Sequence, residues 1–212
     1  MLLNRIEKVL MNNPVRAAIQ RHIEVRWLKA LGGTLRGGRA LEVGCGWGVG
    51  TRLILDEFGA ERVDAFDLDP QMVELAQHRL AGEAQRVRLW VGDVNRIEAE
   101  DETYDAVFDF GIVHHVPRWR AALREIHRVL KPGGRLFAEE VLKDFILNAA
   151  VRRLLDHPLT DRFTHEQFLQ ALADTGFQMV GERQIAHSFG WYVADRHAAD
   201  SLPSKALDLQ TP

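Results

Sequence analysis

Apolar and polar residues change their spacing repeatedly along the chain, and those changes divide it into helices and strands. Near the start, Leu2, Leu3, Ile6, Val9 and Leu10 recur at helical spacing. Asn4, Arg5, Glu7 and Lys8 interrupt them, so no continuous apolar run of secretory or membrane-spanning type is read there. The region up to about Leu31 reads as one or two amphipathic helices, the second starting at Pro14. Glycine pairs at 32–33 and 37–38 then read as a loose connector.

From there strands and helices alternate. Short buried strands are predicted at 40–43, 63–67, 87–91, 106–110 and 135–138. A helix through Leu53, Ile54 and Phe58 stops at Gly59, which suits the left-handed position after a helix end. Asp69 caps the next helix, with Pro70 in its first turn and a buried stripe of Met72, Leu75, Ala76 and Leu80. A later helix carries Trp119, Ala122, Leu123, Ile126, Val129 and Leu130 on one face and ends in the turn Lys131-Pro132-Gly133-Gly134. Thr164 and Gln167 form a capping box for the last helix, and Gly176 stops it. Two final strands at 178–184 and 188–195 form a hairpin. The alternation implies right-handed crossovers and an α/β fold with a mostly parallel sheet covered on both faces, the hairpin contributing one antiparallel strand. Three segments follow: helices over residues 1–35 that form a lid, a domain over 36–197, and a mobile tail over 198–212 without apolar period.

Composition narrows the function classes. The 212 residues are 46% hydrophobic and 27% charged, as in an ordinary globular chain. A single cysteine, Cys45, excludes an internal disulfide framework and a cysteine-based zinc cluster, and fits the cytoplasm. A net charge of -3 argues against a nucleic-acid partner. The first 39 residues depart from that balance, with eight Lys/Arg against Glu7 and Glu24. That excess is either a solvated face or a weak contact with an anionic substrate or a membrane surface.

In an open parallel sheet ligands bind beyond the C-terminal strand ends, where the strand order reverses. The first strand runs into Gly44-Cys45-Gly46-Trp47-Gly48, a turn that lets backbone approach a ligand and aims helix amides at it. A dinucleotide pattern would need glycine at Val49 or Thr51, so the spacing argues against a nicotinamide cofactor. Asp67, at the end of the second strand and about 20 residues past that turn, can accept both hydroxyls of a ribose. Asp93, in Gly92-Asp93-Val94 after the third strand, can accept from an exocyclic amine of adenine. Each acid alone is more often a cap or turn former; three strand ends in register point to a nucleoside site.

Taken with Leu41-Glu42-Val43, Asp67-Leu68-Asp69-Pro70 and Leu130-Lys131-Pro132-Gly133-Gly134, these segments resemble the successive motifs of the class I S-adenosylmethionine-dependent methyltransferases. The likeness is greatest to the small-molecule branch that includes the ubiquinone and menaquinone methyltransferases. It covers about residues 39–138 well and the last two strands loosely, but not the first 30 residues or 141–163. The resemblance implies a Rossmann-like, doubly wound, seven-stranded sheet of order 3-2-1-4-5-7-6 with strand seven antiparallel. It implies S-adenosyl-L-methionine as cofactor. Glu42 with Gly44, Cys45 and Gly46 would hold the methionine part, Asp67 the ribose, Leu68 the adenine face, and Asp93 with Val94 the adenine edge. Backbone around Asp109, Phe110 and Gly111 would close over the cofactor. Amino-directed DNA and protein methyltransferases of this fold carry an Asn- or Asp-Pro-Pro-aromatic tetrad where this chain has Asp109-Phe110-Gly111-Ile112. A small, apolar or lipid-like acceptor is therefore expected, with the first helices and the amphipathic segment 141–156 over it.

An activated methyl group leaves the protein little covalent work: in-line placement, exclusion of water and, for a weakly acidic acceptor, removal of a proton. His114 and His115, after the fourth strand, are the candidate bases; a packing role that orders the loop is the alternative. Glu139-Glu140 serve as acceptor contacts or, the reading taken here, as a helix cap. Trp47 shields the glycine turn, and Trp191-Tyr192 packs within a strand. No spacing commits histidines and acids to a metal. Competing readings are aminopropyl transfer on the same cofactor site, a catalytically silent binding module, and a nicotinamide-dependent oxidoreductase.

Overall fold

A computed structural model of the chain describes residues 13–146 and 162–197. Seven strands form one sheet in the order β3-β2-β1-β4-β5-β7-β6. β1 (Arg39–Val43) lies between β2 (Arg62–Asp67) and β4 (Tyr104–Phe110), β3 (Val87–Val91) flanks β2, and β5 (Leu130–Val141) flanks β4, all in parallel. β7 (Phe189–Arg196) pairs antiparallel with both β5 and β6 (Phe177–Ile185). The expected order and the expected antiparallel strand are both present.

Alternation along the strands assigns every side chain to a layer. Leu41, Val107, Leu136, Ala138 and Tyr192 face one apolar cluster, which includes Trp119, Leu123 and Ile126 of α5 (Trp119–Val129) and Phe168 and Leu172 of α7 (His165–Thr175). Ala40, Phe108, Phe137 and Val193 face the other, with Val25 and Leu28 of α2 (Val25–Gly32) and Phe58 beyond α3 (Val49–Leu53). There the Phe108 ring lies 4.7 Å from both Phe58 and Phe137. Each such buried ring contributes roughly 1.5–3 kcal/mol of hydrophobic stabilisation before entropy is counted.

Local signals account for most boundaries. Asn13 accepts from the Arg16 amide and starts α1 (Pro14–Ile19), as Pro14 predicted. A wider π turn (Gln20–Glu24) joins α1 to α2 without a break in helical backbone. Asp69 caps α4 (Pro70–Arg79) through the Gln71 amide, and the Thr164/Gln167 box caps α7. Gly59 and Gly176 take left-handed conformations at helix ends.

Three expectations are corrected. The buried face of α4 is Met72, Val73, Ala76 and Leu80; Leu75 is 43% exposed. At about 100° per residue the first four fall within one arc, and Leu75 lies outside it. The connector is pinned: the Leu35 amide donates to Phe58 and that of Gly37 to Gly59. Lys131–Gly134 is an outward bulge within β5, because Tyr104 and Ala106 pair with Leu130 and Arg135. Of the segment expected over the acceptor, residues 141–146 are described, ending in α6 (Lys143–Ile146); its remainder, residues 1–12 and the tail expectation lie outside the described residues.

Candidate active site

A cavity of about 340 Å³ opens beyond the C-terminal ends of β1, β2 and β4, at the reversal of strand order. That size falls within the roughly 300–1,000 Å³ of small-molecule sites. Its wall includes Glu42, Gly44, Cys45, Gly46, Asp67, Leu68, Asp93, Val94 and Phe110, nine of the residues the sequence pointed to.

Glu42, the penultimate residue of β1, lies on the face of the sheet toward α3, where the Thr51 hydroxyl donates to its carboxylate. Burial pushes this carboxyl up to about 8, against the lowering effect of the Thr51 bond. The approach of α3 depends on Gly50, since a Cβ there would sit 2.0 Å from Glu42 Oε1. Gly44 has φ +75°, and a Cβ on it would meet the Ile112 side chain at 2.3 Å. The Cys45 thiol is buried and pushed upward, so it is not a nucleophile.

Asp67 braces the turn. Its Oδ2 accepts from the Gly46 amide at 2.9 Å, and its Oδ1 from the Asp69 amide at 2.9 Å. Burial raises this carboxyl too, opposed by those amides. Asp93 accepts from both the backbone and side-chain nitrogens of Asn95. Glu42, Asp67, Asp69 and Asp93 thus place four acids on the wall, against Arg16 and Arg118. Arg16 is already paired with Glu24 and, at 2.7 Å, with Glu139. The acid excess suits a cationic, hydroxyl-bearing ligand, and S-adenosylmethionine has that chemistry.

The two histidines part company. His115 lines the cavity, whereas His114 does not. His114 Nδ1 lies 2.6 Å from Glu140 Oε2, and both side chains are buried. Glu140 also accepts from the Val113 and His114 amides at 2.9 and 3.2 Å. It therefore fastens the 3-10 turn Val113–His115 rather than capping the helix that follows β5, which corrects that expectation. Asp109 is likewise turned away from the cavity, accepting from the Ile112 amide and facing Glu140. Burial and that neighbour raise Asp109 well above the usual carboxylate range, and burial pushes Glu140 up to about 7. Glu139, one residue earlier and so on the opposite face, joins Arg16. Trp47 does not line the cavity; Trp191 packs edge-on against Trp27, 4.6 Å between ring centroids.

Arg16 and Gln20 complete the wall from the N-terminal helix; helices over the acceptor were expected from the sequence, these two side chains were not. Their i, i+4 spacing, continued by Glu24, was the available signal. Among the described residues no group of three His, Cys, Asp or Glu side chains could hold a metal ion.

Residues 40–134 match the family model described as "Methyltransferase domain". The chain belongs to the class I S-adenosylmethionine-dependent methyltransferases. It is 31% identical over 166 residues to "Probable phthiotriol/phenolphthiotriol dimycocerosates methyltransferase 2" of Mycobacterium ulcerans, covering 77% of this chain and 56% of that protein. It is 30% identical over 153 residues to the fatty-acid O-methyltransferase of Mycolicibacterium smegmatis, covering 71% of this chain and 48% of the other. The chain thus spans about half the length of these curated relatives. The crystal structure of a SAM dependent methyltransferase from Aquifex aeolicus shares the fold, with a TM-score of 0.72 at 20% identity, over 90% of this chain and 97% of the other.

Proposed function

We propose that this chain transfers the methyl group of S-adenosylmethionine to a small, apolar acceptor by in-line displacement. The observation that carries the reading is the convergence of Glu42, Asp67 and Asp93 from three successive strand ends on one cavity at the order reversal. When bound, the cofactor supplies a methyl group already activated on sulfur. The chain's own residues then have three tasks. Glu42 and the glycine turn orient the methionine end, Asp67 takes the ribose hydroxyls, and Asp93 with Leu68 and Val94 takes the base. Arg16 and Gln20, reaching the cavity from the N-terminal helix, form the lid that excludes water. His115 is the group placed to accept a proton from the acceptor, and His114 holds the loop through Glu140. His115 thus takes the catalytic role and His114 the positioning role.

An apolar acceptor is supported by Ile112, Val116, Pro117 and Phe110 along the same wall, and by relatives named for fatty acids and for demethylmenaquinone. The buried Cys45 thiol accords with a reducing, cytoplasmic compartment. The test is incubation with methyl-labelled S-adenosylmethionine and, in turn, a long-chain fatty acid or a demethylmenaquinone. Label should pass to the organic phase with one of them and fall by roughly 100-fold in His115→Ala. Cofactor binding with no labelled product from either probe would overturn the acceptor class; undiminished transfer by His115→Ala would remove the base.

A further inference from the structure

The N-terminal helix carries an apolar stripe on its exposed side. Across Pro14–Ile19 and Gln20–Glu24 three polar side chains point inward: Gln20 and Glu24 are buried, and Arg16 reaches Glu139, while Arg21 and His22 stay exposed. The apolar ones point outward, with Val15, Ile19 and Ile23 exposed by 69%, 41% and 42%. A helix facing water shows the opposite distribution. Around this apolar stripe the exposed ionisable side chains are Arg21, His22 and Arg26. Arg21 meets Glu57 at 3.2 Å, while Arg26 has no ion pair among the described residues. Glu24 is the single acid of residues 13–36, and it faces inward.

We propose that this outward face docks the chain on an anionic lipid surface, with the helix axis in the plane of the interface. Aliphatic residues flanked by cations, with no exposed acid on the same helix, match acyl chains beneath phosphate headgroups. A second copy of the chain fits less well, since two-fold pairing would set Arg21, His22 and Arg26 against the same three residues. No described helix is long and apolar enough to span a bilayer, so the contact is interfacial. Arg16 and Gln20, on the adjacent face of the same helix, line the cavity. Docking therefore sets the cavity beside the lipid from which an apolar acceptor would enter, and that last point alone rests on the proposed function.

The test is sedimentation of the full chain with vesicles of phosphatidylcholine plus phosphatidylserine, and with pure phosphatidylcholine vesicles alongside. The chain should pellet with the anionic vesicles and much less with the neutral ones, and added salt should weaken binding. Arg26→Ala should lower the partition coefficient roughly fivefold. The pair Ile19→Asp, Ile23→Asp should abolish binding while Tm and S-adenosylmethionine affinity stay at parental values. Absence of parental binding to anionic vesicles overturns the proposal. A parental dimer that the paired variant converts to monomer would overturn it in favour of a second copy. A paired variant that melts far below the parent would show that the chain covers this face itself. Because cofactor affinity is read separately, loss of docking and failure of the methyltransferase reading are distinguishable.

Discussion

Single atoms decide what the cavity can hold. Glu42 is useful only because α3 comes close enough for Thr51 to bond it, and that approach ends at Gly50. Gly50→Ala should displace the Glu42 carboxylate and weaken S-adenosylmethionine at least tenfold. The substitution itself favours helix by about 1 kcal/mol, so lost cofactor affinity need not bring lost helicity. Calorimetry with circular dichroism separates the two, and unchanged affinity would remove Glu42 from the site. The adjacent pair Glu139-Glu140 shows how finely position matters. Opposite pleat directions send Glu139 to Arg16 of the N-terminal helix and Glu140 to the His114 turn.

At the scale of elements, most boundaries were legible because side chains that cap helices act within a few residues of themselves. Asp69-Pro70, Thr164 with Gln167, Gly59 and Gly176 each fixed an end. What could not be read was produced by partners distant in sequence. Arg16 finds Glu139 across 123 positions, and Glu140 finds His114 across 26. The exposure of Leu75 was legible in principle from helical angle alone. The β6–β7 hairpin carries a local conflict: Ala186 and His187 sit at φ +50° and +52°, where side chains are disfavoured. The Ser188 amide closes that turn on Ile185 at 2.9 Å. The double change Ala186→Asn, His187→Gly supplies the residues such a turn favours and should raise stability by about 1 kcal/mol, measured by urea unfolding. A loss of stability would contradict the turn geometry.

Over the whole molecule, the buried carboxyls make stability depend on pH. The folded chain keeps protons on Glu42 up to about pH 8 and on Glu140 up to about pH 7, whereas the unfolded chain releases them near 4.5. Between those limits the native state binds more protons, so stability falls as pH rises. It is fully present below the ordinary carboxylate range and lost through pH 7 to 8. The melting temperature of the ligand-free chain should therefore decline across that window, and Glu42→Gln should flatten the upper part. A rising melting temperature there would contradict the burial of these groups as charge-free carboxyls. A cationic ligand favours the charged form of Glu42, so cofactor affinity should rise with pH over the same range.

Asp67 and its neighbours form the proposed S-adenosylmethionine site. Titration calorimetry of the parent and of Asp67→Ala, with NADH as control, addresses it most directly. The parent should bind in about the micromolar range, the variant at least roughly tenfold more weakly, and NADH not at all. A parent that is folded by circular dichroism yet binds no S-adenosylmethionine would contradict it and leave a silent module on a methyltransferase fold.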